Sequence, residues 1–441
     1  MKSSNKQAEV KTISNGNMTT KNILIVPKKE RHLGIMDREQ KEIERIIETQ
    51  LSNLRIDSNL SNDGLKKSMN LDSTKIAFHK KRVDAWLSGK HVAPITIDMA
   101  LTQKCSYACT FCYAGLQQNP SKPAEWAIYE EFLDDCVTIG HEPGAGVKAI
   151  SLVSDGESTE NPHFLDFIKK ARSNGIDVAC GTNGLKLSEE SFETLIDNLT
   201  YLRININAAE PAAYAEIMGT SETNFHKVIN NIKGLVAQKN KRNSSITLGL
   251  QMVLLPEYAD QVIPLAKLGA ELGVDYLVVK HCSDDEKGRL GVDYSWYKSR
   301  IATKLLNAAE ALSTQKYSVQ VKWSKILTGR DRKYSRCYGP PLFLQMSGSG
   351  IVAPCGSFFH NRYKRYHIGD IKDKPFREIW NSKEYREVMA HLASKKFDAK
   401  TQCATLCLQD KVNERLNDLV ENEVPLTDTS SLDQPMHINF I

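Results

Sequence analysis

Three cysteines within eight residues constrain this chain more than any other feature. Cys105-Ser106-Tyr107-Ala108-Cys109-Thr110-Phe111-Cys112 is a CxxxCxxC loop, and it follows directly on ITIDMAL, which alternates apolar and polar residues as a strand does. Three thiolates so spaced can wrap one iron–sulfur cubane and ligate three of its irons, leaving the fourth open to a small chelating molecule. A zinc site asks for a fourth ligand nearby and usually for paired CxxC spacing, which the loop lacks. A disulfide would strand the third thiol. Ser106, Tyr107 and Thr110 deny the loop the apolar period of a buried element.

Around the loop the pattern alternates strand and helix. After ITIDMAL, the segments KAISLVS, IDVACG, YLRINI, ITLGLQMV and YLVVKH read as five more short strands rich in β-branched residues. Amphipathic stretches lie between them, such as EWAIYEEFLDDCVTI with Ile128, Phe132, Cys136 and Ile139 on one face. Six strands with crossover helices predict an α/β fold, a parallel sheet curled into a partial (β/α)6 barrel over residues 94–315. Functional groups then gather at the strand C-termini. Residues 1–72 read as a polar leader, helical or disordered, with one helix carrying Ile43, Ile46, Ile47 and Leu51. Residues 73–93 predict a helix on the barrel that starts at Ser73 or Thr74, stops at Gly89 and buries Ile76, Val83, Trp86 and Leu87. A long helix, YSWYKSRIATKLLNAAEALS, ends the barrel; residues 316–410 form a separate, smaller, cysteine-bearing α+β module, with a helix and tail at 411–441.

Composition adds boundaries. At 441 residues with 41% hydrophobic and 25% charged residues, the chain suits one large domain with additions, or two domains. A net charge of +5 over that length does not point to nucleic acid. No apolar run is long enough to span a bilayer, and the polar N-terminus has no signal-peptide core, so a cytoplasmic location is expected. In a reducing cytosol the ten cysteines are not expected to form a disulfide framework. Cys136, Cys180 and Cys282 stand singly and read as small buried hydrophobes.

The cysteine loop, with Phe111 before its last thiol and a (β/α) series behind it, resembles the radical S-adenosylmethionine (SAM) superfamily over about residues 94–280. Ser154-Asp155-Gly156-Glu157-Ser158-Thr159 ends the second strand, where the family carries a Gly-Gly-Glu-type turn facing the SAM amino group; here Asp155 replaces the first glycine. Gly181-Thr182-Asn183-Gly184 ends the third strand. Arg203, Asn205 and Asn207 lie on or just after the fourth, where the family places side chains near the SAM ribose and carboxylate. The resemblance implies a [4Fe–4S] cluster on Cys105, Cys109 and Cys112, and SAM contacts from Tyr107, Phe111, Gly156, Glu157, Ser158, Asn183, Arg203 and Asn205. It also implies an electron donor such as flavodoxin or ferredoxin, reductive cleavage of SAM to methionine and a 5′-deoxyadenosyl radical, and hydrogen-atom abstraction from a substrate.

Cys337, Cys355, Cys403 and Cys407 form a second set. Four thiolates close a whole [4Fe–4S] cluster, although zinc accepts the same ligands. The hairpin Cys337-x12-Gly350-x4-Cys355, the segment His367-Ile368-Gly369-Asp370-Ile371 and the helix bearing Phe376, Ile379 and Trp380 resemble a SPASM or twitch extension. Four cysteines are fewer than a full SPASM domain carries, so one auxiliary cluster is expected.

The function expected is oxidation or rearrangement of a small molecule. Peptide or protein maturation is the alternative within the family, and a zinc-bearing scaffold the alternative outside it. Substrate should meet Gln251 on the fifth strand, Lys280 and His281 at the end of the sixth, and Asp284, Asp285, Lys287 and Arg289 in the loop beyond. His281 and Lys280 are the candidate catalytic residues, His281 as a general base, with Arg362, Tyr363 and His367 next in line.

Overall fold

A computed structural model describes residues 33–55, 74–140, 144–328, 331–405, 407 and 409–441. Residues 1–32 and most of the linker expected before residue 73 lie outside that set. The six expected strands are present: β1 (Thr96–Met99), β2 (Ala149–Leu152), β3 (Asp177–Thr182), β4 (Tyr201–Asn205), β5 (Thr247–Leu254) and β6 (Tyr276–His281). All pair in parallel and in chain order. β5 is buried at every residue, as a parallel strand covered on both faces must be.

The sheet does not stop at six strands. β7 (Ser318–Val321) pairs in parallel with β6, although its segment was expected to belong to the C-terminal module. The module itself is not separate. β8 (Phe343–Met346) pairs in parallel with β1, then the antiparallel β9 (Ile351–Ala353) and β10 (Gly369–Asp370) complete a ten-stranded sheet ordered β10-β9-β8-β1-β2-β3-β4-β5-β6-β7. The physical reason is that β1, as the first strand of an open barrel, has an unpaired edge, and the hairpin fills it.

Side-chain packing joins the same parts. Helix Trp126–Thr138 sets Phe132 against Phe376 of the module, with ring centroids 5.0 Å apart and both rings buried. The buried carboxylate of Asp135 accepts from the Arg377 backbone at 2.9 Å and from its guanidinium at 2.7 Å. The helix expected over 375–393 breaks into Phe376–Trp380 and Lys383–Leu392, because the Ser382 hydroxyl accepts from Tyr385 N (3.0 Å) and starts a new helix.

Helix Leu33–Ser52 packs on the outside of the barrel, with Ile47 fully buried and Gln50 donating to the Asp260 carbonyl at 3.0 Å. The next helix runs as a 3-10 turn, Thr74–His79, and then Lys80–Leu87. Ile76 and Val83 are buried as expected, but Leu87 is exposed. Helix Pro211–Met218 also escapes the sequence pattern; it starts at a proline and stops at Gly219 in the left-handed region (φ 58°).

Residues 436–441 cross the end of the sheet where the strands begin. Thr96 Oγ1, at the first residue of β1, donates to the Asn439 carbonyl at 2.6 Å. Asn439 Nδ2 donates to Asp177 at the start of β3 (2.8 Å), and His437 meets Thr247 Oγ1 at the start of β5 (3.0 Å). No helix among the described residues is long and apolar enough to cross a membrane.

If barrel and module fold as one body, Phe132→Ala should cost about 3–5 kcal/mol, because it empties a site walled from both sides. Urea unfolding would measure this. A chain ended before β8 should fail to stay soluble and monomeric, since β1 would present an open edge; a soluble monomeric fragment would show that the barrel stands alone.

Candidate functional site

The loop after β1 is set by backbone contacts. Ala108 N donates to the Gly219 carbonyl (3.3 Å) and Thr110 N to the Ile217 carbonyl (3.0 Å), both on the helix missed in the sequence. The buried Tyr107 hydroxyl meets that of Tyr214 at 2.9 Å. Tyr107 therefore anchors the loop as well as lining the cavity beside it. Gly156 lies so close to the loop's stem that a Cβ there would come within 1.9 Å of the Thr102 carbonyl oxygen. Glu157 N donates to the Lys104 carbonyl at 2.9 Å, one residue before the first thiol.

Cys105, Cys109 and Cys112 line one cavity of about 1100 Å³. Burial pushes the Cys105 thiol up to about 12, with the charges of Glu157 and Cys112 adding to the shift. Burial raises Cys109 well above the usual thiol range, with Cys112 and Cys105 again contributing, and burial raises Cys112. Cys105 is exposed and Cys109 and Cys112 are half-buried, and three thiolates that repel one another beside a cavity call for a positive centre among them, which is what an iron–sulfur cluster supplies. The donor set fits. Asn183 Nδ2 points to the Cys105 sulfur at 3.8 Å, within the sulfur hydrogen-bond range.

The second set is built in the same way. Burial raises Cys337 far above its ordinary value, followed by the charges of Cys407, Cys403 and Cys355. Burial pushes Cys355 up to about 11. Burial works against the charge on Arg332, but Cys407 and Cys403 more than offset it, and the guanidinium is fixed by the carbonyls of Ala399 (2.6 Å) and Ala404. Asn413 Nδ2 points to the Cys407 sulfur at 3.7 Å. No three His, Cys, Asp or Glu side chains among the described residues close tightly around a single metal ion.

The SAM candidates divide. Tyr107, Phe111, Gly156, Glu157, Asn183, Arg203 and Asn205 line the cavity, whereas Ser158 does not. Ser158 is buried, and its hydroxyl accepts from Leu101 N at 3.2 Å. Phe111 packs with Val253, Leu255, Leu290 and Val292. The Glu157 carboxylate accepts from Thr182 Oγ1 (2.8 Å), Asn183 N (2.7 Å) and Thr159 Oγ1 (2.7 Å), which ties the ends of β2 and β3 together. The Arg203 Nε is buried without a hydrogen-bond partner. Asn205 accepts from Gln251 Nε2 at 2.6 Å.

Asp155, which stands where the family has glycine, has a clear task. Its buried carboxylate accepts from Ser347 Oγ (2.5 Å), Gly348 N (2.7 Å) and Gln103 Nε2 (3.0 Å). The β8–β9 turn is thereby fastened to the stem of the cysteine loop.

The two catalytic candidates part company. Lys280 lines the cavity and is pushed down to about 7 by burial, then by Arg203 and Lys325. His281 does not line it. The period of two along β6 turns His281 outward, where its ring is fully buried against Tyr294 and Tyr297 and its Nδ1 meets the Cys282 carbonyl at 2.8 Å. Asp284 and Asp285 are also buried and brace their own loop: Asp284 accepts from Leu290 N (2.9 Å), and Asp285 pairs with Arg289 (2.7 Å) and Arg362 (3.4 Å). Lys287 is exposed, and Arg362, Tyr363 and His367 do not line the cavity. The reading of the sequence passed over Asp98, Lys322 and Lys325, all on the cavity wall. The Asp98 carboxyl is pushed up to about 7 by burial, against a hydrogen bond from Ser151. A lone carboxylate inside an apolar strand was the available signal.

Residues 99–268 match the model of the radical SAM superfamily, and residues 337–408 match that of the SPASM iron–sulfur cluster-binding domain. A tungsten-containing aldehyde ferredoxin oxidoreductase cofactor-modifying protein of Pyrococcus furiosus is 20% identical over 303 residues, 65% of this chain and 81% of the relative. An AdoMet-dependent heme synthase of Methanosarcina barkeri is 24% identical, over 66% of this chain and 83% of its own. The crystal structure of Streptococcus suis SuiB bound to S-adenosylmethionine superposes with a TM-score of 0.53 at 17% identity, covering 80% of this chain and 79% of that one, which shows a shared fold.

If each cysteine set holds a four-iron cubane, anaerobically reconstituted protein should carry about eight irons per chain. Replacing Cys105, Cys109 and Cys112 together by Ala should leave about half. Zinc in place of the remaining iron would contradict the assignment of Cys337, Cys355, Cys403 and Cys407.

Proposed function

This chain belongs to the radical SAM superfamily and carries a SPASM-type iron–sulfur domain, and from that premise we propose that it abstracts a hydrogen atom from a small molecule held inside its barrel. It is an enzyme that uses SAM, a [4Fe–4S] cluster and an auxiliary iron–sulfur cluster. When bound, these supply an electron to SAM and, from it, a 5′-deoxyadenosyl radical.

In this reading Cys105, Cys109 and Cys112 hold the core cluster, and Cys337, Cys355, Cys403 and Cys407 hold the auxiliary one. Phe111 and its apolar neighbours form a shelf for the SAM adenine. Arg203, with its unpartnered Nε, faces the SAM carboxylate. Glu157 fixes the two strand ends that border SAM. Substrate lies deeper in the barrel, and once one hydrogen atom has been removed Lys280 Nζ takes the proton that is lost with the second electron, for which the auxiliary cluster would be the acceptor; the task suits an amine pushed down to about 7. The observation that carries the small-molecule reading is the chamber of about 1100 Å³ that runs from the cysteine loop to the tail residues His437, Phe440 and Ile441. The names of the two relatives, a heme synthase and a cofactor-modifying protein, also favour a small molecule.

Dithionite and SAM should yield 5′-deoxyadenosine with the wild-type protein, and none with any of Cys105→Ala, Cys109→Ala or Cys112→Ala. Chromatography of the quenched reaction measures this, and full cleavage by all three variants would overturn the reading. With substrate, product formation should rise with pH through about 7, because Lys280 acts unprotonated and its folded pKa is the lowered one. Lys280→Met should lose that limb and most of the product, whereas His281→Ala should keep the limb.

A further inference from the structure

The inner wall of the barrel is more charged than its fold requires. Parallel barrels of this kind fill their interior with branched apolar side chains. Here the cavity is walled by Arg203, Lys280, Lys322 and Lys325, with Asp98 facing them. Among the described residues none of these four cations forms an ion pair. Lys322 directly follows β7, and Lys325 comes one turn later, Lys325 N donating to the Lys322 carbonyl at 2.9 Å. Three residues apart on one turn, the two ammonium groups share a face. At the other end of the same cavity Lys75 is committed to the His437 carbonyl (3.2 Å).

We propose, resting on the reading above, that Lys322 and Lys325 form a binding site for the anionic group of the substrate, a phosphate or a carboxylate. Arg203 is engaged by the SAM carboxylate in that reading, and Lys280 by the proton it takes, which leaves these two lysines for substrate. Their chemistry asks for it. Burial lowers Lys322 well below its ordinary value, and Lys325, Arg203, Lys280 and Lys75 lower it further. Burial also lowers Lys325, against the opposing pull of Cys407 and Asp410. The Asp410 carboxylate accepts from the Tyr334 hydroxyl (2.8 Å) and, among the described residues, forms no ion pair with Lys325. An incoming anion would favour the charged form of both amines and offset the repulsion between them.

The experiment uses the reconstituted holoenzyme with SAM bound, titrated calorimetrically at low salt with inorganic pyrophosphate and, separately, with citrate. At least one should bind saturably with one site per chain, and which one binds tells phosphate from carboxylate. The double variant Lys322→Met/Lys325→Met should weaken binding at least about tenfold, while Lys322→Arg/Lys325→Arg holds it within about threefold. Asp98→Asn removes the opposing charge and should tighten binding. No saturable binding of either anion, or equal affinity in the methionine variant, overturns the site. Cleavage of SAM to 5′-deoxyadenosine is measured on the same preparation. Anion binding without cleavage would support the site and sink the radical reading, whereas cleavage without anion binding would sink the site alone.

Discussion

The pairing of β1 on both of its edges is what the rest of this molecule depends on. Thr96–Met99 runs parallel to β2 on one side and to β8 on the other. A strand held from both sides has a fixed end, and the cysteine loop starts from that end. The same pairing brings the β8–β9 turn alongside, so two iron–sulfur loops distant in sequence become neighbours. Tyr113, one residue beyond Cys112, shows how near they come: a Cβ on Gly356, next to Cys355, would stand 2.7 Å from its hydroxyl.

Close approach is maintained by small residues and by one carboxylate. Gly156 and Gly348 both lie against the Thr102–Gln103 backbone, where a side chain on either would collide with the carbonyl of Thr102. Asp155 then joins the pieces with three hydrogen bonds in a buried setting, where each counts for more than it would in water. A glycine at position 155 would leave the β8–β9 turn without that anchor. Asp155, which stands where the family has glycine, thus ties the extension to the barrel.

Electrostatics divides the cavity into two halves. Thiols that raise one another line one part of the cavity, and amines that depress one another line another, with the Arg203 guanidinium beside them. Each half is costly when empty, because like charges have been brought together away from water. In the function proposed above, iron would relieve the first and an anion the second. The tail crosses the end of the sheet where the strands begin and lines the same cavity through His437, Phe440 and Ile441.

The sequence alone determined the elements that follow from local pattern: the six strands β1–β6, most of the helices between them, and the two thiol sets, because period and spacing are read within a few residues. It also determined that Lys280 and His281 cannot both line the barrel, since adjacent strand residues face opposite ways. Which one could not be read locally, because β6 is covered on both faces and both faces are built of ordinary core residues. Only the tertiary structure decided that the hairpin at 343–353 belongs to the edge of β1, that Asp155 and Ser158 serve the scaffold, that Asp284 and Asp285 brace a loop, and that Lys322 and Lys325 look into the same space as Cys105. These are relations between segments separated by up to some 240 residues, as for Gln103 and Ser347 at 244, and pairing across such distances is fixed by which edge is left open and which volume is left to fill.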